Sequence, residues 1–188
     1  MLKNKTTLLT SLLVLIIAIG CNSTSRLYRS NDKNAIYTGK LSDSTFQSLK
    51  QFLTASTKSQ VNDTIIIKYD YNNEVCWEIL DLKDDDYIMG FVITHQERVR
   101  KALAARENIS IFDFREPGKN VNKIKKLDTS IKIDSTKFLF NLLFKERCVC
   151  GSSIIVMPDK NYVFLRSDSH SDALDYSKEQ INELFTKR

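Results

Sequence analysis

A chain of 188 residues with 42% hydrophobic and 27% charged side chains has the size and composition of one folded domain, which excludes a disordered or collagen-like chain. Five Gly and two Pro leave no room for a Pro/Gly-rich repeat or a long flexible linker. The 28 Lys and Arg against 23 Asp and Glu give a net +5, spread along the chain, and this argues against a nucleic-acid partner. Residues 1–20 read as a secretory signal peptide. Lys3 and Lys5 supply the basic start, and Leu8 to Ile19 form an apolar run broken only by Thr10 and Ser11. That run is shorter than the ~18–20 residues that span a bilayer as a helix.

Ala18-Ile19-Gly20-Cys21, followed by polar Asn22-Ser23-Thr24-Ser25, resembles the lipobox of bacterial lipoproteins, with Ala18 where that motif usually carries Leu. The resemblance implies cleavage before Cys21, lipidation of its sulfur and acylation of the new amine. Cys21 is then the anchor to a membrane, and the protein belongs to the cell envelope, at the bacterial outer membrane or the periplasmic face. Each buried CH₂ of the acyl chains contributes ~0.8 kcal/mol to such anchoring. Residues 21–43 are polar, with isolated Ile36, Tyr37 and Leu41, and read as a lipidated tether.

The folded domain is expected over residues 44–188. Its first helix starts near Ser42 or Ser44, either of which can cap it, and Phe46, Leu49, Phe52 and Leu53 recur at helical spacing. Asp63 to Tyr71 is β-branched enough to predict a buried central strand, ended by Asn72 and Asn73. A helical stretch follows from about Val75 to Arg106. Its main part begins at Asp84-Asp85-Asp86, where carboxylates suit a helix N-terminus. Ile109–Phe114 predicts a second strand, Val121–Leu127 a short basic helix, and Ser130–Asp134 a third strand. Asp134 or Ser135 then caps a helix whose apolar face holds Phe138, Leu139, Leu142 and Leu143. Ser153–Met157 and Tyr162–Arg166 predict two strands joined as a hairpin, and Ser177–Thr186 a closing helix.

This order predicts an α/β fold: a mixed sheet of about five strands with helices on both faces. From about residue 60 onward it resembles the thioredoxin fold. The closest stretch is Ile131–Phe164, where a strand ending in Asp, a helix, a Gly-Ser-Ser loop, an apolar strand and a Pro-Asp turn follow in series. That series resembles membrane-anchored thioredoxin-like reductases and peroxiredoxins. In such reductases a Cys-x-x-Cys pair follows the first core strand. Here the position reads Asn73-Glu74-Val75-Cys76, so Asn73 replaces the first Cys. Ser152 falls where that fold carries a cis-Pro, and a trans bond is expected there.

Cys76 on its own reads as a small buried hydrophobe, with Trp77 beside it to shield the sulfur or line a groove. The resemblance brings Cys148 and Cys150 near Cys76, which leaves three pairings open: 76–148, 76–150 and 148–150. A structural bridge from Cys76 is favoured over catalysis. His95 lies on an apolar helix face as a boundary histidine. His170, within Asp168–Asp172, lacks a second spaced ligand, and Asp84–Asp86 reads as a helix start, so neither metal nor cofactor is expected. The leading reading is an envelope lipoprotein with a binding or accessory domain. Its rim holds Asn72, Asn73, Cys76, Trp77, Cys148, Cys150 and Ser152. The alternative is a thiol-disulfide oxidoreductase using Cys76 with Cys148 or Cys150. A third reading has an envelope protein partner recognised by the basic 115–126 region.

Overall fold

The computed structural model describes residues 35–72, 74–118, 122–168 and 171–186. Residues 1–20, read from sequence as a signal peptide, lie outside the described residues, as do Cys21, Asn73 and His170. Six strands form one mixed sheet: β1 (Ile36–Lys40), β2 (Thr64–Asp70), β3 (Ile109–Arg115), β4 (Lys132–Ile133), β5 (Gly151–Val156) and β6 (Asn161–Arg166). Their spatial order is β1-β6-β5-β2-β3-β4. β2, β3 and β4 run parallel, whereas β5 is antiparallel to β2 and to β6, and β1 is antiparallel to β6.

The sheet has six strands rather than the expected five. Residues 36–40, read from sequence as tether, pair along β6 from Ile36 opposite Leu165 to Lys40 opposite Asn161. Gly39 makes this edge strand fit, because a Cβ there would stand 2.5 Å from the hydroxyl oxygen of Tyr162. The stacked rings of Tyr37 and Phe164, 5.1 Å apart, hold the strand to the sheet.

Helices α1 (Asp43–Thr57), α2 (Val75–Asp81), α3 (Asp85–Ala105), α4 (Asn122–Leu127) and α5 (Lys178–Thr186) cover the sheet. Caps set their starts. The Ser42 hydroxyl accepts from Thr45 N at 3.1 Å, and the Asp84 carboxylate accepts from Tyr87 N at 2.8 Å. Each such cap contributes about 1 kcal/mol. Asp84 thereby splits the long helical stretch into α2 and α3. The helix expected after Asp134 closes as a π-helical turn, Phe140–Phe144, whose entry is fixed by Phe140 N donating to Asp134 Oδ2 at 3.0 Å.

Alternation along the strands divides the core. Ile65, Ile67, Tyr69 and Tyr71 face α1 and the π-turn, packing on Leu49, Leu53, Phe114 and Phe144. Ile66 faces the other way, with Ile155, Val163 and Leu165, onto Ala102 of α3 and Ile181 of α5. Trp77, Leu80, Ile88, Val92, Ile124 and Ile131 form a third cluster among α2, α3 and α4. Each such side chain, fully buried, contributes roughly 1.5–3 kcal/mol.

Candidate functional site

The face of the sheet under α3 changes character toward the C-terminal ends of β2 and β3. Ile66 pairs with Ile111, but the next residues on that face are Lys68 opposite Asp113 and Asp70 opposite Arg115. Lys68, Asp70 and Arg115 are buried, Arg115 to 1% exposure, and Asp113 is partly buried. Buried charge requires partners. Asp70 Oδ2 accepts from Arg115 Nη2 at 3.1 Å, while Lys68 Nζ lies 3.2 Å from Asp70 Oδ1. Asp113 Oδ2 stands 2.8 Å from Nε2 of His95.

Burial works to raise the Asp113 carboxyl. The hydrogen bond with His95, and the charges of His95, Lys68 and Arg115, outweigh that and hold it below the ordinary carboxylate range. His95 is thus a boundary histidine with a carboxylate partner.

Trp77 joins this charge cluster to the sulfur chemistry. The Arg115 guanidinium lies 4.1 Å from the Trp77 ring centroid and the Lys68 ammonium 5.3 Å from it, both cation–π distances. On its other edge, Trp77 Nε1 donates to the carbonyl oxygen of Cys150 at 2.8 Å. Cys150 is disulfide-bonded to Cys76, across a Cα–Cα distance of 5.6 Å and 74 positions of sequence. The bridge ties the first turn of α2 to the residue that precedes β5. Gly151 allows this approach: a Cβ there would stand 2.8 Å from Asp70 Oδ1 and 2.9 Å from the Tyr69 carbonyl oxygen.

The loop that delivers Cys76 is clamped separately. Arg147 donates through Nη2 to the Asn72 carbonyl at 2.6 Å and to Glu74 Oε1 at 3.2 Å. Its Nη1 pairs with buried Glu116, which also receives Asn72 N at 3.2 Å and Lys137 Nζ at 3.2 Å. These charge-assisted bonds fix the β2–α2 connection against β3.

Cys148 and Ser152 lie elsewhere. Cys148 packs in the aromatic core under α1, on the far side of the sheet from Trp77, and is the free cysteine among the described residues. Burial pushes its thiol above the ordinary range, against the lowering effect of the Ser152 hydrogen bond, so it stays protonated at neutral pH. Ser152 is fully buried, with its hydroxyl 3.5 Å from that of Tyr71. The described backbone contains no cis peptide bond. Of the expected rim, the structure brings together Cys76, Trp77 and Cys150, sets Asn72 in the clamped loop, and places Cys148 and Ser152 on the opposite face.

Above Trp77 the α2–α3 pair opens into a cleft of about 480 Å³, within the usual size range of small-molecule sites. Its walls are apolar: Trp77, Ile79, Leu80, Tyr87 and Phe91, with Cys76 at one side. Ile79 and Tyr87 are more than half exposed at the mouth. The polar lining consists of Lys68, Lys83, Thr94, His95, Arg98 and Ser171. A larger groove of about 830 Å³, where α3 ends against α5, mixes Arg106 and Lys178 with Glu107 and Glu179 and therefore selects no sign of charge. Among the described residues, no cluster of His, Cys, Asp or Glu is arranged to hold a metal ion, and no helix is long and apolar enough to cross a membrane.

Sequence reasoning missed Lys68, Asp70, Asp113 and Arg115. The signal was present in Ile-Lys-Tyr-Asp and Phe-Asp-Phe-Arg, where charges alternate with core residues inside strands otherwise apolar enough to be central. No protein-family model matches the chain, and no curated protein or solved structure is similar to it at a significant level.

Proposed function

We propose that this is a lipid-anchored envelope protein whose thioredoxin-like domain acts as a binding module, with the α2–α3 cleft as its binding surface. The fold assignment is supported by the parallel β2-helix-β3 crossover, followed by the antiparallel β5–β6 hairpin and the closing helix α5. Anchoring through Cys21 rests on the lipobox alone. The observation that carries the module reading is the placement of the three cysteines. Cys76 and Cys150 are bridged beneath Trp77, while Cys148 is shut into the opposite core. Cys148 is thereby kept away from the bridge, so the Cys76–Cys150 pair stands alone rather than as part of a three-cysteine relay. The bridge then serves as a staple that holds the cleft floor.

Thiol-disulfide exchange is the second reading, and one observation favours it: Cys76 lines the cleft, so a substrate thiolate has a path to it. That thiolate attacks the Cys76 sulfur and displaces the Cys150 thiolate. A second substrate thiol then releases oxidised substrate and leaves the Cys76/Cys150 dithiol. The two readings separate in a turnover assay with a dithiol peptide as substrate and oxidised glutathione as regenerating oxidant. The module reading expects no oxidation of peptide above the rate without protein. Multiple turnovers that vanish in Cys76→Ser would establish the enzyme instead.

A further inference from the structure

The cleft is sided in charge as well as in polarity. Four of its lining side chains, Lys68, Lys83, His95 and Arg98, are basic, and none is a carboxylate. Behind the lining, Asp70 pairs with Lys68, Asp113 with His95, and Asp172 and Asp175 with Arg98, and none of these carboxylates lines the cleft. The polar part of the lining therefore presents mainly hydrogen-bond donors and no carboxylate, which suits a ligand whose head group accepts.

The exposed mouth is at Ile79 and Tyr87, near the α2–α3 turn, where Lys83 lies with its ammonium 5.3 Å from the Tyr87 ring centroid. The residues Thr94, His95 and Arg98 come later on α3, and Ser171 joins them from the segment after β6. From Tyr87 to Arg98 the helix rises about 16 Å.

Ser171 supplies the second, independent observation. It is 1% exposed, lines the cleft, and its hydroxyl is buried without a hydrogen-bond partner among the described residues. A buried hydroxyl left without a partner is costly, so its retention at this end of the cleft points to a ligand acceptor there. Its backbone lies in the left-handed region, φ 61°, and its carbonyl oxygen accepts from Arg98 Nη2 at 3.4 Å, which holds the residue against α3.

We propose that the cleft binds an aliphatic monocarboxylate. Its chain lies along Trp77, Phe91 and Tyr87, and its carboxylate sits at the other end and accepts from the Ser171 hydroxyl. This rests on the binding-module reading and names the ligand class for it.

The probe is sodium laurate below its micelle concentration. It is titrated into the chain beginning at residue 21 and carrying Cys21→Ser, so that no detergent competes. Trp77 is the single tryptophan of the chain and lines the cleft, so its fluorescence reports occupancy directly. Laurate should give a saturable change. Acetate, which lacks the tail, and dodecyltrimethylammonium, which reverses the head, should give none over the same range. Ser171→Ala should weaken laurate about 3–10-fold, the loss of one hydrogen bond, while melting at or above the parent temperature because an unsatisfied hydroxyl has been removed.

Equal binding of the cationic amphiphile, an unchanged affinity in Ser171→Ala, or no saturable laurate signal would each overturn the proposal. The outcome is separable from the reading beneath it. Failure of laurate in a protein that does not turn over dithiols removes the ligand and keeps the module, whereas dithiol turnover removes the module whatever laurate does.

Discussion

Replacing both bridged cysteines, Cys76→Ala with Cys150→Ala, should lower the stability of the domain by about 4.5 kcal/mol. The figure follows from the 74-position separation of the two residues. Closing a loop of that length removes roughly 15 cal/mol/K of entropy from the unfolded chain, or about 4.5 kcal/mol at 25 °C. Against a typical total of about 5–15 kcal/mol this is a large fraction. Urea unfolding is the assay. With a slope of about 2 kcal/mol per M for a domain of this size, the midpoint should fall by about 2 M. The reduced parent protein should unfold at the same place as the double variant. A midpoint shift below about 0.5 M, or a reduced parent that unfolds where the oxidised one does, would refute the bridge as the staple of the cleft floor.

Three further outcomes follow from the buried cluster and the free thiol. Asp70→Asn leaves the buried Arg115 and Lys68 without their shared carboxylate and should cost about 3–5 kcal/mol; pairing it with Arg115→Met in a double-mutant cycle should recover much of that loss, and additive costs would contradict the pairing. Asp113, held below the ordinary carboxylate range by His95, contributes stability that is fully present above its unfolded pKa of about 3.9 and is lost as pH falls through its folded value. Urea midpoints should therefore fall below about pH 4, and Asp113→Asn should flatten that acid limb; an unchanged limb would dismiss the contribution. Cys148 should resist iodoacetamide at neutral pH in the native protein and react fully in urea, and rapid native alkylation would show its pocket to be open.

Much of the fold was legible because its signals are local and periodic. Ser42 and Asp84 cap helices where side chains of their type belong, and the Ile65–Ile67 run marks the central strand. β1 escaped notice for a physical reason. Its five residues, IYTGK, are too few and too polar to show a pattern, and its burial comes from Tyr162 and Phe164, more than a hundred positions away. The site was half legible. Cys76 and Trp77 stood out as residue types, but the pairing of Cys76 with Cys150 rather than Cys148 is decided by which face of the sheet each occupies. Cys148 turns into the aromatic core, while the carbonyl of Cys150 turns to Trp77. The charged quartet lay hidden inside strands whose average hydrophobicity is that of a core. Only the register opposing Lys68 to Asp113 and Asp70 to Arg115 reveals it as one connected cluster.

The most direct test is peptide-mapping mass spectrometry of the mature protein, taken from membranes without reductant and with free thiols blocked in denaturant. The account predicts an acylated N-terminal peptide beginning at Cys21, a cross-linked pair of peptides carrying Cys76 and Cys150, and a blocked Cys148. A bridge from Cys76 to Cys148, all three thiols blocked, or a mature chain that begins elsewhere without acyl groups would contradict it.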